Sequence, residues 1–154
     1  MIVFTSDRVI YRPGSAARDL RDTIKIAEKA GHSIFYIPLL EESEELDLTE
    51  SFKDLPIQQT QQTAIWLDFI PTYDFYLNVY KFLLTKNIKL INSPEEHILA
   101  LKFENFYPLI AEHTAKSVIV NNIDEMENMC STLTFPVSVK GDVKSNKEGI
   151  CFSP

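Results

Sequence analysis

The feature that most limits the choice of fold is a rhythm. Over residues 1–92, short β-rich runs alternate with longer stretches whose apolar residues recur every three or four positions. Met1 to Thr5 is an apolar run suited to a buried strand. Ala17, Leu20, Ile24 and Ala27 then recur at helical spacing, with Ser15 placed to cap the start and Gly31 to stop the end. Ser33 to Leu39 reads as a second strand and Thr63 to Phe69 as a third, carrying Asp68 at its end. Tyr73 to Lys86 shows Phe75, Val79, Phe82 and Leu83 on one helical face, with Tyr76 and Tyr80 beside it, and Ile88 to Ile91 reads as a fourth strand. Parallel neighbours need a long crossover, and a helix is the usual one. The alternation therefore predicts an α/β fold: an open, mostly parallel, doubly wound sheet.

Two connections interrupt the rhythm. Ser6 to Gly14 is polar and holds Arg8, Arg12 and Pro13. The longer one runs from Glu41 to the glutamine-rich stretch Gln58-Gln59-Thr60-Gln61-Gln62, with short helical turns expected around Leu46 to Phe52. Between Glu41 and Asp54 stand seven acids and one base, so this segment carries six of the chain's seven net negative charges. The body of the protein is thus close to neutral, and the acidic segment reads as a solvated surface excursion. No broad basic face exists to meet the phosphates of duplex nucleic acid.

After Asn92 the rhythm changes. Ser93-Pro94-Glu95-Glu96 is a helix start with cap, proline and capping-box glutamate in order. The helix runs through Ile98 to Lys102. Pro108 predicts a second short helix or a kinked continuation over Glu104 to Glu112. Ser117 to Val120 reads as a strand. Asn122, with Glu125 at the box position, starts a further helix whose Met126, Met129, Cys130 and Leu133 face inward, and Val137 to Lys140 is a final strand. A boundary at Asn92 to Pro94 divides the chain into an α/β domain, 1–92, and a smaller α+β part, 93–154.

Other classes are disfavoured. No apolar run approaches the ~18 residues that span a bilayer, and the N-terminus reads as a first strand rather than a signal peptide. Cys130 and Cys151 lack metal-ligand spacing and fit a reduced, cytoplasmic setting. His32, His97 and His113 are scattered, with no acid or cysteine at ligand spacing.

Two lysines stand out. Lys102 ends an apolar helical run and Lys140 ends an apolar strand, Phe135-Pro136-Val137-Ser138-Val139-Lys140-Gly141. An ammonium group without a partner is expensive to bury, so each head must reach water, an acid or a bound anion. Snorkelling to solvent satisfies Lys102, and an edge strand ending in a solvated turn satisfies Lys140. The loop beyond, Asp142 to Gly149, brings Lys144, Ser145 and Lys147 and can also seat phosphates. Asp68 lies where open α/β sheets bind ligands, and Arg8 and Arg12 share that edge and can meet a carboxylate.

Taken together, Asn92-Ser93-Pro94-Glu95 leading to Ala100-Leu101-Lys102-Phe103, then Phe135-Pro136-Val137-Ser138-Val139-Lys140-Gly141, resembles the opening of an ATP-grasp domain. The α/β part likewise resembles the pre-ATP-grasp domain that precedes it in such enzymes. The resemblance implies a Rossmann-like first domain and an incomplete ATP-grasp lobe. Lys102, Lys140, Gly141, Lys144, Ser145 and Lys147 become nucleotide contacts. The implied reaction is ATP-dependent carboxylate–amine or carboxylate–thiol ligation through an acyl phosphate, with Arg8, Arg12 and Asp68 meeting a small carboxylate or peptide substrate. ATP and Mg2+ are the implied cofactors. The family's magnesium ligands stand on later strands, so the chain reads as part of a longer ligase, inactive alone. A second reading is a non-catalytic α/β interaction module, self-associating through an unpaired strand. A third is a flavodoxin-like domain binding a small anion at Ser6 to Gly14.

Overall fold

Ile2–Ser6 forms β1, the strand from which the first half of the molecule is built. The computed structural model describes residues 1–38, 47–120, 122–125, 128, 131–133, 137–138 and 151–152. These belong to two compact units, Met1–Pro94 and Glu95–Pro154.

In the first unit β1 pairs in parallel with β2 (Ser33–Ile37) on one side and β3 (Gln62–Trp66) on the other. β3 pairs in parallel with β4 (Ile88–Leu90). The result is a four-stranded all-parallel open sheet in the order β2-β1-β3-β4. Register is set by Ile2 opposite Ser33 and Ala64, and Ala64 opposite Leu90. Pro38 follows β2, where the missing N–H ends the ladder. The α/β expectation holds, with β2 and β3 ending two and three residues earlier than expected, β4 one residue earlier, and β1 shifted one residue later. The stretch after β3 leaves the ladder at Leu67, whose N–H still reaches the Phe4 carbonyl at 2.8 Å.

The connection after β1 is not the plain loop the sequence suggests. It holds a four-residue helix α1, Arg8–Tyr11, with Val9 buried beneath it. Helix α2, Ser15–Lys29, crosses back to β2. Its cap is Gly14, not Ser15: Gly14 sits at φ +112, a geometry a side chain resists, so Ser15 becomes the first helical residue. Helix α4, Tyr73–Thr85, links β3 to β4 and is capped by the Thr72 hydroxyl, which accepts from the Phe75 N–H at 3.4 Å.

Side chains alternate across β1. Phe4 faces a core with Ile37, Ala64, Ile88 and Leu90 of the sheet and Tyr76, Val79 and Leu83 of α4. Tyr76 is therefore a core residue rather than a flanking one, and its hydroxyl donates to the Asn92 carbonyl at 2.9 Å. The acidic connection contributes to the same core. Asp47 accepts from the N–H groups of Thr49 and Glu50 and starts helix α3, Leu48–Ser51. Phe52 and Leu55, just beyond it, are buried. Phe52 stacks on Phe35 and Phe82, with ring centroids 5.7 and 5.3 Å away, and meets Phe4 edge-on. The described part of this segment is thus anchored, not a free excursion, because one large aromatic gains more by burial than the surrounding charges lose. Glu41, Glu42, Glu44 and Glu45 lie outside the described residues.

In the second unit Pro94–Leu101 forms α5 and Phe103–Ile110 forms α6. Pro108 lies inside α6, within a helix too short for one lost bond to break. Phe103 stacks on Tyr107 at 4.8 Å and meets Phe106 edge-on. Ser117 to Val120 is extended but joins no ladder, so the strand expected there is absent; its Ser117 N–H is taken by the Tyr107 hydroxyl at 2.8 Å. Asn122 does cap: its side-chain oxygen accepts from the Glu125 N–H at 3.0 Å, Ile123–Glu125 forms a 3-10 turn, and Asn128 further on is helical. Met126, Met129 and Cys130 lie outside the described residues. Val137–Ser138 forms β5, paired antiparallel with β6, Cys151–Phe152. The final expected strand is therefore paired along one of its sides.

Candidate functional site

Sheet order decides where a site can form. From β1 the chain crosses to one side, through α2 to β2; from β3 it crosses to the other, through α4 to β4. The connections part between β1 and β3, and the carboxyl ends of those strands frame a crevice, the usual ligand position in open α/β sheets. Arg8 opens α1, Arg12 closes it, and Asp68 stands two residues past β3. All three converge on this crevice.

Asp68 works as a strap. One carboxylate oxygen accepts from the Ser6 N–H at the end of β1, and the other from the Phe69 N–H at 2.6 Å. It ties the two strand ends and fixes the turn that presents Phe69. The indole N–H of Trp66 donates to the Phe69 carbonyl at 3.4 Å, adding a second hold on that turn. The Arg12 guanidinium lies 4.9 Å from the centre of the Phe69 ring and that of Arg8 lies 6.0 Å away. On the α2 side, the Arg21 guanidinium donates to the Val9 carbonyl at 2.8 Å and the Arg12 carbonyl at 3.1 Å, satisfying acceptors that the short helix α1 leaves open. Thr5 and Ser6, fully buried at the end of β1, and Asp7 each keep a buried side-chain oxygen with no hydrogen-bond partner among the described residues.

Three residues that the sequence picks out thus come together with four that it does not. Phe69 hides in an apolar run that looks like strand. Arg21 looks like one more solvated helix charge. The unpaired Thr5 and Ser6 oxygens have no sequence signal beyond two hydroxyl residues closing a buried strand.

Lys102 belongs to the second unit. It lies at the break between α5 and α6, not inside a helix, and its carbonyl receives the N–H groups of Asn105 and Phe106. Its ammonium sits 3.4 Å from a Glu104 carboxylate oxygen, with both side chains well exposed at 40% and 48%. Such a pair contributes little and is readily exchanged for another anion. Lys140, Gly141, Lys144, Ser145 and Lys147 lie outside the described residues. Among the described residues no group of three or more His, Cys, Asp or Glu side chains could hold a metal ion, and no helix is long and apolar enough to cross a membrane.

Comparison of the chain with known protein families and with curated proteins finds no match to either.

Proposed function

We propose that the chain provides the substrate-binding and first nucleotide-binding parts of an ATP-grasp-type ligase. Residues 1–92 are the pre-ATP-grasp domain and 93–154 the start of the ATP-grasp lobe. Lys102 and Lys140 neutralise nucleotide phosphates, and Gly141, Lys144, Ser145 and Lys147 cover them. Arg8 and Arg12 hold the carboxylate to be activated, on an edge that Asp68 keeps rigid. ATP, with Mg2+, supplies the driving force for joining that carboxylate to an amine or thiol; this chain's residues bind and orient.

One observation supports this reading above the others. A parallel sheet with its order reversal between β1 and β3 gathers two arginines at the ligand edge, and a second unit follows with a lysine at a helix break. An interaction module would not need cations at that edge.

The test is a nuclear magnetic resonance titration of the full chain with MgATP. Resonances of Lys102 and of residues 140–147 should shift together and saturate. Lys102→Ala and Lys140→Ala should each weaken binding about tenfold or more, the loss of one charged hydrogen bond of roughly 1.5–3 kcal/mol. Saturable binding that both variants leave unchanged, or none at all, would end the reading.

A further inference from the structure

The crevice between β1 and β3 carries features that a strand-to-helix turn does not require, and they bear on what it binds. Arg12 lies against the Phe69 ring. A guanidinium held against an aromatic face keeps its in-plane N–H edges available, and those edges match the two oxygens of a carboxylate. Both partners are aimed from behind. Asp68 holds the backbone of Phe69, and Arg21 holds the carbonyl of Arg12. The Asp68 oxygens each take a backbone N–H, and among the described residues Arg12 has no acid partner. The positive charge is therefore left for something else.

The two connections at this edge also carry exposed apolar side chains, which we take as its rim. Ile10 and Tyr11 of α1 are 45% and 80% exposed, and Ile70, next to Phe69, is 59% exposed. They stand in the two connections that carry Arg12 and Phe69. A bare inorganic anion gains nothing from such a rim, whereas a carboxylate with a hydrocarbon body covers it. At the end of β1 lie the Thr5 and Ser6 hydroxyls, buried and unpaired among the described residues, polar groups that cost stability and that a purely structural strand end would avoid.

We infer that this edge takes a small carboxylate bearing an aliphatic or aromatic body, with the carboxylate on Arg12 and the body against Phe69 and the Ile10–Tyr11–Ile70 rim. Arg21 is a positioning residue that acts through Arg12. The inference rests on the edge being the acceptor-carboxylate site; it does not depend on the nucleotide contacts of Lys102 and Lys140.

The experiment titrates the full chain with phenylpropanoate, isocaproate, acetate and inorganic phosphate, following arginine side-chain and Phe69 backbone resonances. Phenylpropanoate and isocaproate should bind at least tenfold more tightly than acetate or phosphate. Arg12→Ala should lower phenylpropanoate affinity at least tenfold. Arg12→Lys should recover little of it, since a point charge lacks the fork. Phe69→Leu should lower it severalfold. Arg21→Ala should weaken phenylpropanoate binding, and Arg21→Lys should recover part of it. Arg12 is exposed, so its variants keep the fold, checked by an unchanged unfolding midpoint. Equal affinity for acetate and phenylpropanoate, or tighter phosphate binding, overturns the inference and leaves the carboxylate site standing. No saturable binding of any carboxylate, or indifference to Arg12→Ala, removes both, while the MgATP titration reports on the nucleotide contacts separately.

Discussion

The first unit has two regions of opposite character within one sheet. Beneath α4, Phe4, Phe35, Phe52 and Phe82 pack ring against ring, and the one buried phenol, Tyr76, has its partner in the Asn92 carbonyl. At the carboxyl ends of β1 and β3, hydroxyls lie buried without partners among the described residues, cations face an aromatic ring, and apolar side chains stand in solvent. The first region holds the fold together. The second carries local costs that the first sustains, a pattern that marks a candidate binding site on a rigid scaffold.

Three substitutions sharpen this contrast. The largest effect belongs to Phe52→Ala, which removes the ring on which three others pack and should cost about 3–5 kcal/mol in urea unfolding. A cost near zero would mean the acidic connection is not part of the core. Asp68→Ala should come next, at roughly 1–3 kcal/mol, because two backbone N–H groups lose their acceptor. It should also weaken carboxylate binding, since Phe69 is no longer held, a coupling that Phe52→Ala should lack. Thr5→Val should do the reverse and raise stability by up to about 1 kcal/mol, as a near-isosteric methyl replaces a buried hydroxyl without a partner. Destabilisation by Thr5→Val would show that the hydroxyl is satisfied in solution and would dissolve the contrast.

The scaffold was legible because periodicity reports directly on burial. Ala17 and Ile24, Val79 and Leu83, and the apolar run through β1 are buried in the positions their spacing implies. Phe52 was not legible, since a single aromatic among Glu50, Lys53 and Asp54 forms no pattern; only the rings it meets, distant in sequence, give it a place. Ser117 to Val120 misled for the converse reason: β-branched residues fit a strand, but strand formation needs a partner that propensity cannot supply. At the site, Asp68, Arg8 and Arg12 could be picked out by charge at strand ends. That Asp68 holds the Ser6 and Phe69 backbone N–H groups, and that Phe69 faces the arginines, depends on how two connections fold over one another.

The turn between α4 and β4 has a consequence for how this chain can vary. Only Lys86 and Asn87 separate the two elements, and Asn87 adopts a left-handed conformation at φ +60. Its side-chain amide donates to the Gln58 carbonyl at 3.1 Å, its own carbonyl receives the Gln62 N–H at 3.0 Å, and the Lys86 carbonyl receives the Gln58 N–H at 2.9 Å. Two residues thus clasp the Gln58–Gln62 stretch at both ends, with no slack. Inserting or deleting a single residue here would slip the edge strand by one position and turn Ile88 and Leu90 outward. Length at this point is as constrained as chemistry.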